Sequence, residues 1–187
     1  AVINLKANGV EGLVVIGGDG TFTGARELCK LGIPTIGVPG TIDNDLAYTD
    51  YCIGFDTAIN TVVSSIGKIR DTMDSHGRIG VIEVMGRNCG DIALFSGVAC
   101  GAEAVIIPEF EWDIDKIARS LMERYELGVQ TGIVVVAEGA SSAEEITKQL
   151  IERTGLDIRG TVLGHVQRGG NPTVRDRVVA SEMGHYA

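Results

Sequence analysis

Proline is scarce in this sequence, with four in 187 residues, and neither low-complexity segments nor internal repeats occur. Nothing in it therefore reads as a long linker or a flexible tail. Positive charge is also short. The net charge of −9 argues against nucleic acid or an anionic membrane as a main partner. Long apolar runs are missing, since stretches such as residues 133–137 are far too short to cross a bilayer. No secretory signal is visible. The four cysteines, Cys29, Cys52, Cys89 and Cys100, include no C-x-x-C pair, and with three scattered histidines they give no metal-site spacing. A reduced, cytoplasmic protein with incidental thiols is the expectation.

What is present in excess is glycine, 26 residues, about twice the usual share. The glycines sit where apolar runs end, as they would in tight loops between strands and helices. Among the 16 cations 11 are arginine, several in glycine-rich stretches. The guanidinium fork fits phosphate oxygens, so an acidic chain with placed arginines suits small phosphorylated ligands. Apolar, β-branched runs predict strands over residues 13–16, 35–38, 78–84, 104–107, 132–137 and 158–163. Several are apolar throughout, as in strands covered on both faces. Helical spacing of Ile59, Val62, Val63, Ile66, Ile69 and Met73 predicts a helix over 56–75. A second covers 113–127, and a third opens on Ser142 with Glu145 three residues on and stops at Gly155. Strand–helix alternation predicts an α/β fold of three layers, with mostly parallel sheets and helices on both faces. Ligands in such folds sit beyond the carboxyl ends of the strands.

Four loops fall at such ends. Gly17-Gly18-Asp19-Gly20-Thr21 leads from a strand into a helix, whose first N–H groups attract phosphate. An Asp there repels bare phosphate but suits a Mg²⁺ that bridges phosphate oxygens. The same five residues also suit a tight turn with Asp19 as a helix cap. No G-K-[ST] follows, so this is not a P-loop. Pro39-Gly40-Thr41-Ile42-Asp43-Asn44-Asp45 offers carboxylates able to take a proton from an attacking hydroxyl, or else an Asx-rich turn. Met85-Gly86-Arg87-Asn88-Cys89-Gly90 puts an arginine where it could stabilise charge on a transferred phosphoryl group. Gly164-His165-Val166-Gln167-Arg168-Gly169-Gly170 adds three polar side chains on a thin loop.

In this order, and with Val136-Ala137-Glu138-Gly139 between the last two, these segments resemble the signatures of bacterial ATP-dependent 6-phosphofructokinases along the whole chain. The resemblance implies a phosphofructokinase-like fold, truncated at both ends. It also implies transfer from ATP to the 1-hydroxyl of fructose 6-phosphate, giving fructose 1,6-bisphosphate. It makes Asp19 the Mg²⁺-site residue and Gly18, Gly20 and Thr21 part of the ATP cradle. Asp43 becomes the base, with Thr41 and Arg87 stabilising the transition state. Fructose 6-phosphate would meet Thr41, Ile42, Asp43, Met85, Gly86, Arg87, Glu138 and the loop residues His165, Val166, Gln167 and Arg168. Arg78 and Arg159 resemble a pair that reaches the 6-phosphate of a neighbouring subunit, which implies a homotetramer with shared sites.

The same resemblance expects residues 1–55 to end a nucleotide domain, 56–171 to form the sugar-phosphate domain, and 172–187 to be a returning helix. Alone, such a fragment is expected to be inactive. Arg70, Gly101, Ala102 and Glu103 match a phosphorylated-effector site. Leu127 and Val129, where relatives carry lysines, predict a weakened response. Pyrophosphate-dependent relatives put Asp and Lys where Gly20 and Gly40 stand, so both glycines leave room for ATP. The alternatives are a pyrophosphate-dependent enzyme, or a non-catalytic effector-binding half of an enlarged member. Retention of Asp19, Asp43 and Arg87 favours a catalytic copy.

Overall fold

The computed structural model describes all 187 residues, which divide into two compact units. The first comprises Ala1–Asp56 and Pro172–Ala187, the second Thr57–Asn171. No helix is long and apolar enough to cross a membrane.

In the first unit, helix α1 (Val2–Ala7) precedes strand β1 (Leu13–Gly17), helix α2 (Asp19–Lys30) and strand β2 (Thr35–Pro39). The two strands pair in parallel, from Leu13 opposite Thr35 to Gly17 opposite Pro39. The crossover through α2 is the β-α-β unit that parallel pairing requires. Gly37 lies under Phe22 of α2, and a Cβ there would come 2.9 Å from the ring. Beyond β2 the chain makes a bridge between Gly40 and Ile53 and then buries Cys52 and Phe55 completely. Helix α7 (Val174–Tyr186) is anchored to this stretch, because the Gly54 N–H donates to the buried Asp176 carboxylate at 2.9 Å. Arg175 stacks over the Tyr51 ring at 3.7 Å. The Tyr51 hydroxyl donates to Asp56 at 2.8 Å. Burial, followed by that bond, pushes the phenol above its usual range. Val14, Ile16 and Ile36 leave an exposed apolar face on the two-stranded sheet.

The second unit is a four-stranded parallel sheet in the order β4-β5-β3-β6. Its strands are β3 (Ile79–Val84), β4 (Ala104–Ile106), β5 (Gly132–Ala137) and β6 (Ile158–Val162). Helix α3 (Phe55–His76), which opens in the first unit, leads into β3. Helices α4 (Asp91–Cys100), α5 (Ile114–Glu126) and α6 (Ala143–Thr154) connect the strands. Alternation along the strands assigns the two faces. Ile79, Val81, Ile106, Val134 and Val136 pack with Ile114, Ala118 and Leu121 of α5 and Ile146 and Leu150 of α6. Gly80 turns the other way, against Met73 of α3, and Val105 lies under Gly97 of α4. That makes three layers, α5 and α6, sheet, then α3 and α4, as the apolar runs predict. β5 is buried at every position, which explains its lack of alternation.

Three strands are one residue shorter than the sequence predicts, and β1 and β2 one residue longer. Arg78 stays outside β3 because its N–H closes the end of α3, donating to Met73 O at 3.0 Å after Gly77 at φ +63°. Leu163 bonds to Glu83 O but already has helical dihedrals and caps the 3-10 turn Gly164–Arg168. β4 ends at Ile106. At α6 the Ser142 hydroxyl accepts from Glu145 N–H, whereas the Glu145 carboxylate accepts from Gln149, so the capping box is only half formed.

Leu150 on α6 is fully buried against β3 and β6. Leu150→Ala is expected to lower the unfolding free energy by about 2–5 kcal/mol. Denaturant titration followed by far-UV circular dichroism checks this, and a loss below about 1 kcal/mol would contradict the packing described.

Candidate active site

The candidate loops occur in both units, always where a strand ends at its carboxyl edge. In the first unit β1 runs straight into α2. The residue at the helix boundary is Gly18, with no side-chain cap. Asp19 occupies the first helical turn, is exposed, and makes no hydrogen bond or ion pair. A capping role therefore does not account for this carboxylate. Gly20 faces open space, with nothing within 4 Å of a Cβ built there.

The second loop abuts the first. Gly40 N–H donates to Gly17 O at 3.0 Å, and a Cβ on Gly18 would lie 3.3 Å from Thr41 Cβ. Gly40 itself is not open, because its Cβ would come 3.0 Å from Ile16 Cγ2 and 3.5 Å from Gly17 N. Its missing side chain serves the close approach of two strand ends, which corrects the expectation that it leaves room for a ligand. The Thr41 hydroxyl accepts the Asp43 N–H at 3.2 Å, and Asn44, at φ +55°, accepts the Cys52 N–H at 2.9 Å through Oδ1. Both the turn chemistry and the carboxylate are thus real: Thr41 and Asn44 fix the loop that presents half-buried Asp43.

In the second unit, three strand ends are stitched together. Gly86, at φ +135°, and Arg87, at φ +54°, make a tight turn closed by Cys89 N–H on Gly86 O at 2.9 Å. A Cβ on Gly86 would lie 2.4 Å from Cys89 O, so only glycine fits. Glu138, just past β5, accepts the Arg87 N–H at 2.8 Å, and its own N–H donates to Val84 O at 2.9 Å. This holds Arg87 in a left-handed conformation that a non-glycine residue adopts only at a cost. From the β6 side, Gln167 Oε1 accepts the Met85 N–H at 3.0 Å. The resemblance offers Gln167 as a ligand contact, yet its side chain is turned inward and is 1% exposed. Val166, His165 and Arg168 on the same turn are exposed, and neither His165 nor Arg168 has a hydrogen bond or ion pair. Ile42, in the first unit, is half-buried beside Gly54.

Arg78 and Arg159 lie at the opposite end of the same sheet, since Ile79 pairs with Ile158 and Gly80 with Arg159. A strand of six residues separates the two ends by roughly 16–20 Å. Within one chain, then, these arginines do not join Arg87, Glu138, His165 and Arg168. They share Asp157 instead, at 2.7 Å from Arg78 and 2.9 Å from Arg159. The Arg78 hydrogen bond, followed by the charge of Arg159, holds the Asp157 carboxyl below the usual carboxylate range.

The effector candidates also lie at that end. Arg70 donates to Cys100 O at 2.6 Å, Gly101 is left-handed at φ +60°, and Ala102 N–H closes α4 onto Gly97 O. Glu103 is nearly buried and fully engaged. It accepts from Arg124 at 2.9 Å and from Ile133 N–H at 2.5 Å. Sequence reasoning weighed Leu127 and Val129 and missed Arg124, one helical turn earlier.

A model of the phosphofructokinase family matches residues 1–187. The chain belongs to that family. An ATP-dependent 6-phosphofructokinase of Clostridium tetani is 60% identical over 183 residues, 98% of this chain and 57% of the relative. The chain spans little more than half the length of the curated relatives it matches. Among solved structures, a phosphofructokinase from Saccharomyces cerevisiae aligns with TM-score 0.87 at 38% identity, covering 98% of this chain and 28% of that one. A Pichia pastoris phosphofructokinase in the T-state aligns with TM-score 0.90 at 33% identity, over 100% and 24% respectively.

The bridging carboxylate gives a pH test. Because the folded-state value of Asp157 is depressed, its contribution to stability is present above the unfolded carboxylate value of about 4 and is lost as pH falls below it. The gap in melting temperature between wild type and Asp157→Asn should be constant near neutrality and close between about pH 5 and pH 2. A gap that does not depend on pH would show that Asp157 does not carry the pairing.

Proposed function

We propose that the full-length protein transfers the γ-phosphoryl group of ATP to the 1-hydroxyl of fructose 6-phosphate, releasing fructose 1,6-bisphosphate and ADP. The observation that carries this reading is the Clostridium tetani relative named for that activity, 60% identical over 98% of this chain. The retention of Asp19, Asp43 and Arg87 in glycine-rich loops at strand carboxyl ends supports it.

In this reading Asp43 accepts the proton of the sugar 1-hydroxyl as that oxygen attacks the γ-phosphorus and the bond to ADP breaks. Arg87, with the Thr41 hydroxyl, offsets the charge that grows on the phosphoryl oxygens. Gly18, Gly20 and Thr21, at the start of α2, cradle the nucleotide phosphates. Met85, Gly86, Glu138, His165 and Arg168 hold the sugar phosphate, with Ile42 and Val166 as neighbours. The resemblance calls for Mg²⁺ beside the nucleotide phosphates. That ion commonly takes one or two carboxylates and fills its shell with water and phosphate oxygens. The unpaired Asp19 carboxylate would supply the protein ligand, and the ion would neutralise phosphate charge.

Arg78 and Arg159, remote from the carboxyl-end loops of their own sheet, would serve the 6-phosphate bound by another copy, in a homotetramer with shared sites. Effector response is expected to be weak, because Leu127 and Val129 offer a phosphate no charge-assisted hydrogen bond. The four free thiols suit the reducing cytoplasm where a glycolytic kinase works.

In the full-length enzyme, Asp43→Ser is expected to lower kcat by about 10²–10⁴-fold while sugar-phosphate binding is largely kept. Steady-state kinetics checks it, and a variant keeping a third of wild-type kcat would sink the assignment. The donor test uses Gly20, where a carboxylate would meet an incoming nucleotide by volume and by charge. Gly20→Asp should reduce kcat/KM for ATP by about 10²-fold or more. Turnover of the wild-type enzyme with pyrophosphate that equals or exceeds turnover with ATP would overturn ATP as donor.

A further inference from the structure

Gln167 is the one polar side chain in the second unit's loops that is wholly enclosed and satisfied at both ends. Its Oε1 accepts the Met85 N–H at 3.0 Å, and its Nε2 donates to Gly164 O at 3.0 Å. The two partners fix the amide orientation, because an N–H can face only the oxygen and a carbonyl only the NH₂. One bond grips the loop that turns through Gly86 and Arg87. The other closes the 3-10 turn bearing His165 and Arg168.

We propose that Gln167 is a positioning residue that sets the spacing between Arg87 on one loop and His165 and Arg168 on the other, and so controls affinity for the sugar phosphate without touching it. This rests on the function proposed above. A residue with no exposed polar atom cannot reach a ligand, but losing either bond strands a buried backbone group and frees a loop. Forked recognition of a phosphate depends on where the guanidinium groups stand, so the effect falls on sugar-phosphate binding and not on the nucleotide.

The experiment uses the full-length enzyme with Gln167→Leu and Gln167→Glu. For Gln167→Leu, KM for fructose 6-phosphate should rise about tenfold or more while KM for ATP stays within about twofold. Gln167→Glu can accept from Met85, but it donates to Gly164 O only when protonated, and burial raises the pH at which that happens. Its KM should therefore approach wild type as pH falls from 8 to 6, a trend absent from Gln167→Leu. Hydrogen exchange at the Met85 amide should accelerate at least about tenfold in Gln167→Leu. Unchanged KM for the sugar phosphate, a parallel rise in both KM values, or no pH recovery in Gln167→Glu would each overturn the proposal. If Gln167→Leu fails to fold, the pH trend of Gln167→Glu decides alone. A wild-type enzyme inactive on fructose 6-phosphate would refute the function instead, and Met85 exchange would then judge the brace.

Discussion

β3 is hydrogen-bonded along both edges, to β5 on one side and β6 on the other, and is closed on both faces by helices. The candidate loops at the carboxyl end of the second unit's sheet are referenced to this strand. Its carboxyl end delivers the turn at Gly86 and Arg87, which Glu138 and Gln167 reach from the two neighbouring strands. Its amino end begins just after Arg78, beside Asp157 and Arg159. Because a parallel ladder fixes register residue by residue, and a slip of one would turn the buried face outward, these placements follow from the pairing itself. Remove the ladder and the loops keep their sequences but lose their common origin.

Much of this organisation can be read from the amino acids. Apolar, β-branched runs locate all six strands to within two residues, although only β5 is buried at every position and β1, β2 and β6 leave apolar side chains exposed. The loops at strand ends stood out because glycine and charge interrupt the apolar runs nowhere else so densely. The side-chain contacts that give those loops their shape were not legible. Gln167 meets Met85 across 82 residues, Arg78 meets Asp157 across 79, and Glu138 meets Arg87 across 51. Local pattern contains no information about partners at that distance. So Gln167 read as a ligand contact when it faces inward, and Arg124 went unnoticed beside Leu127 and Val129.

The glycines divide into kinds that sequence does not distinguish. Gly20 borders open space, Gly40 permits two strand ends to touch, and Gly86 is required by a positive φ and by the Cys89 carbonyl. Only the first kind has a bearing on what ligand can enter. The others are conditions of the backbone path, and a substitution at either would act through the loop's shape and not through a binding contact.

The separation of the two ends of β3 has a mechanical consequence. A hydrogen-bonded strand neither stretches nor bends appreciably, so the sheet is a rigid strut of fixed length with cationic groups at each end. A local change beside Arg78 and Arg159 would not adjust the turn at Arg87 by deformation along the strut. A displacement at one end would reach the other as movement of the strand as a whole, the kind of motion by which packed elements switch between discrete arrangements.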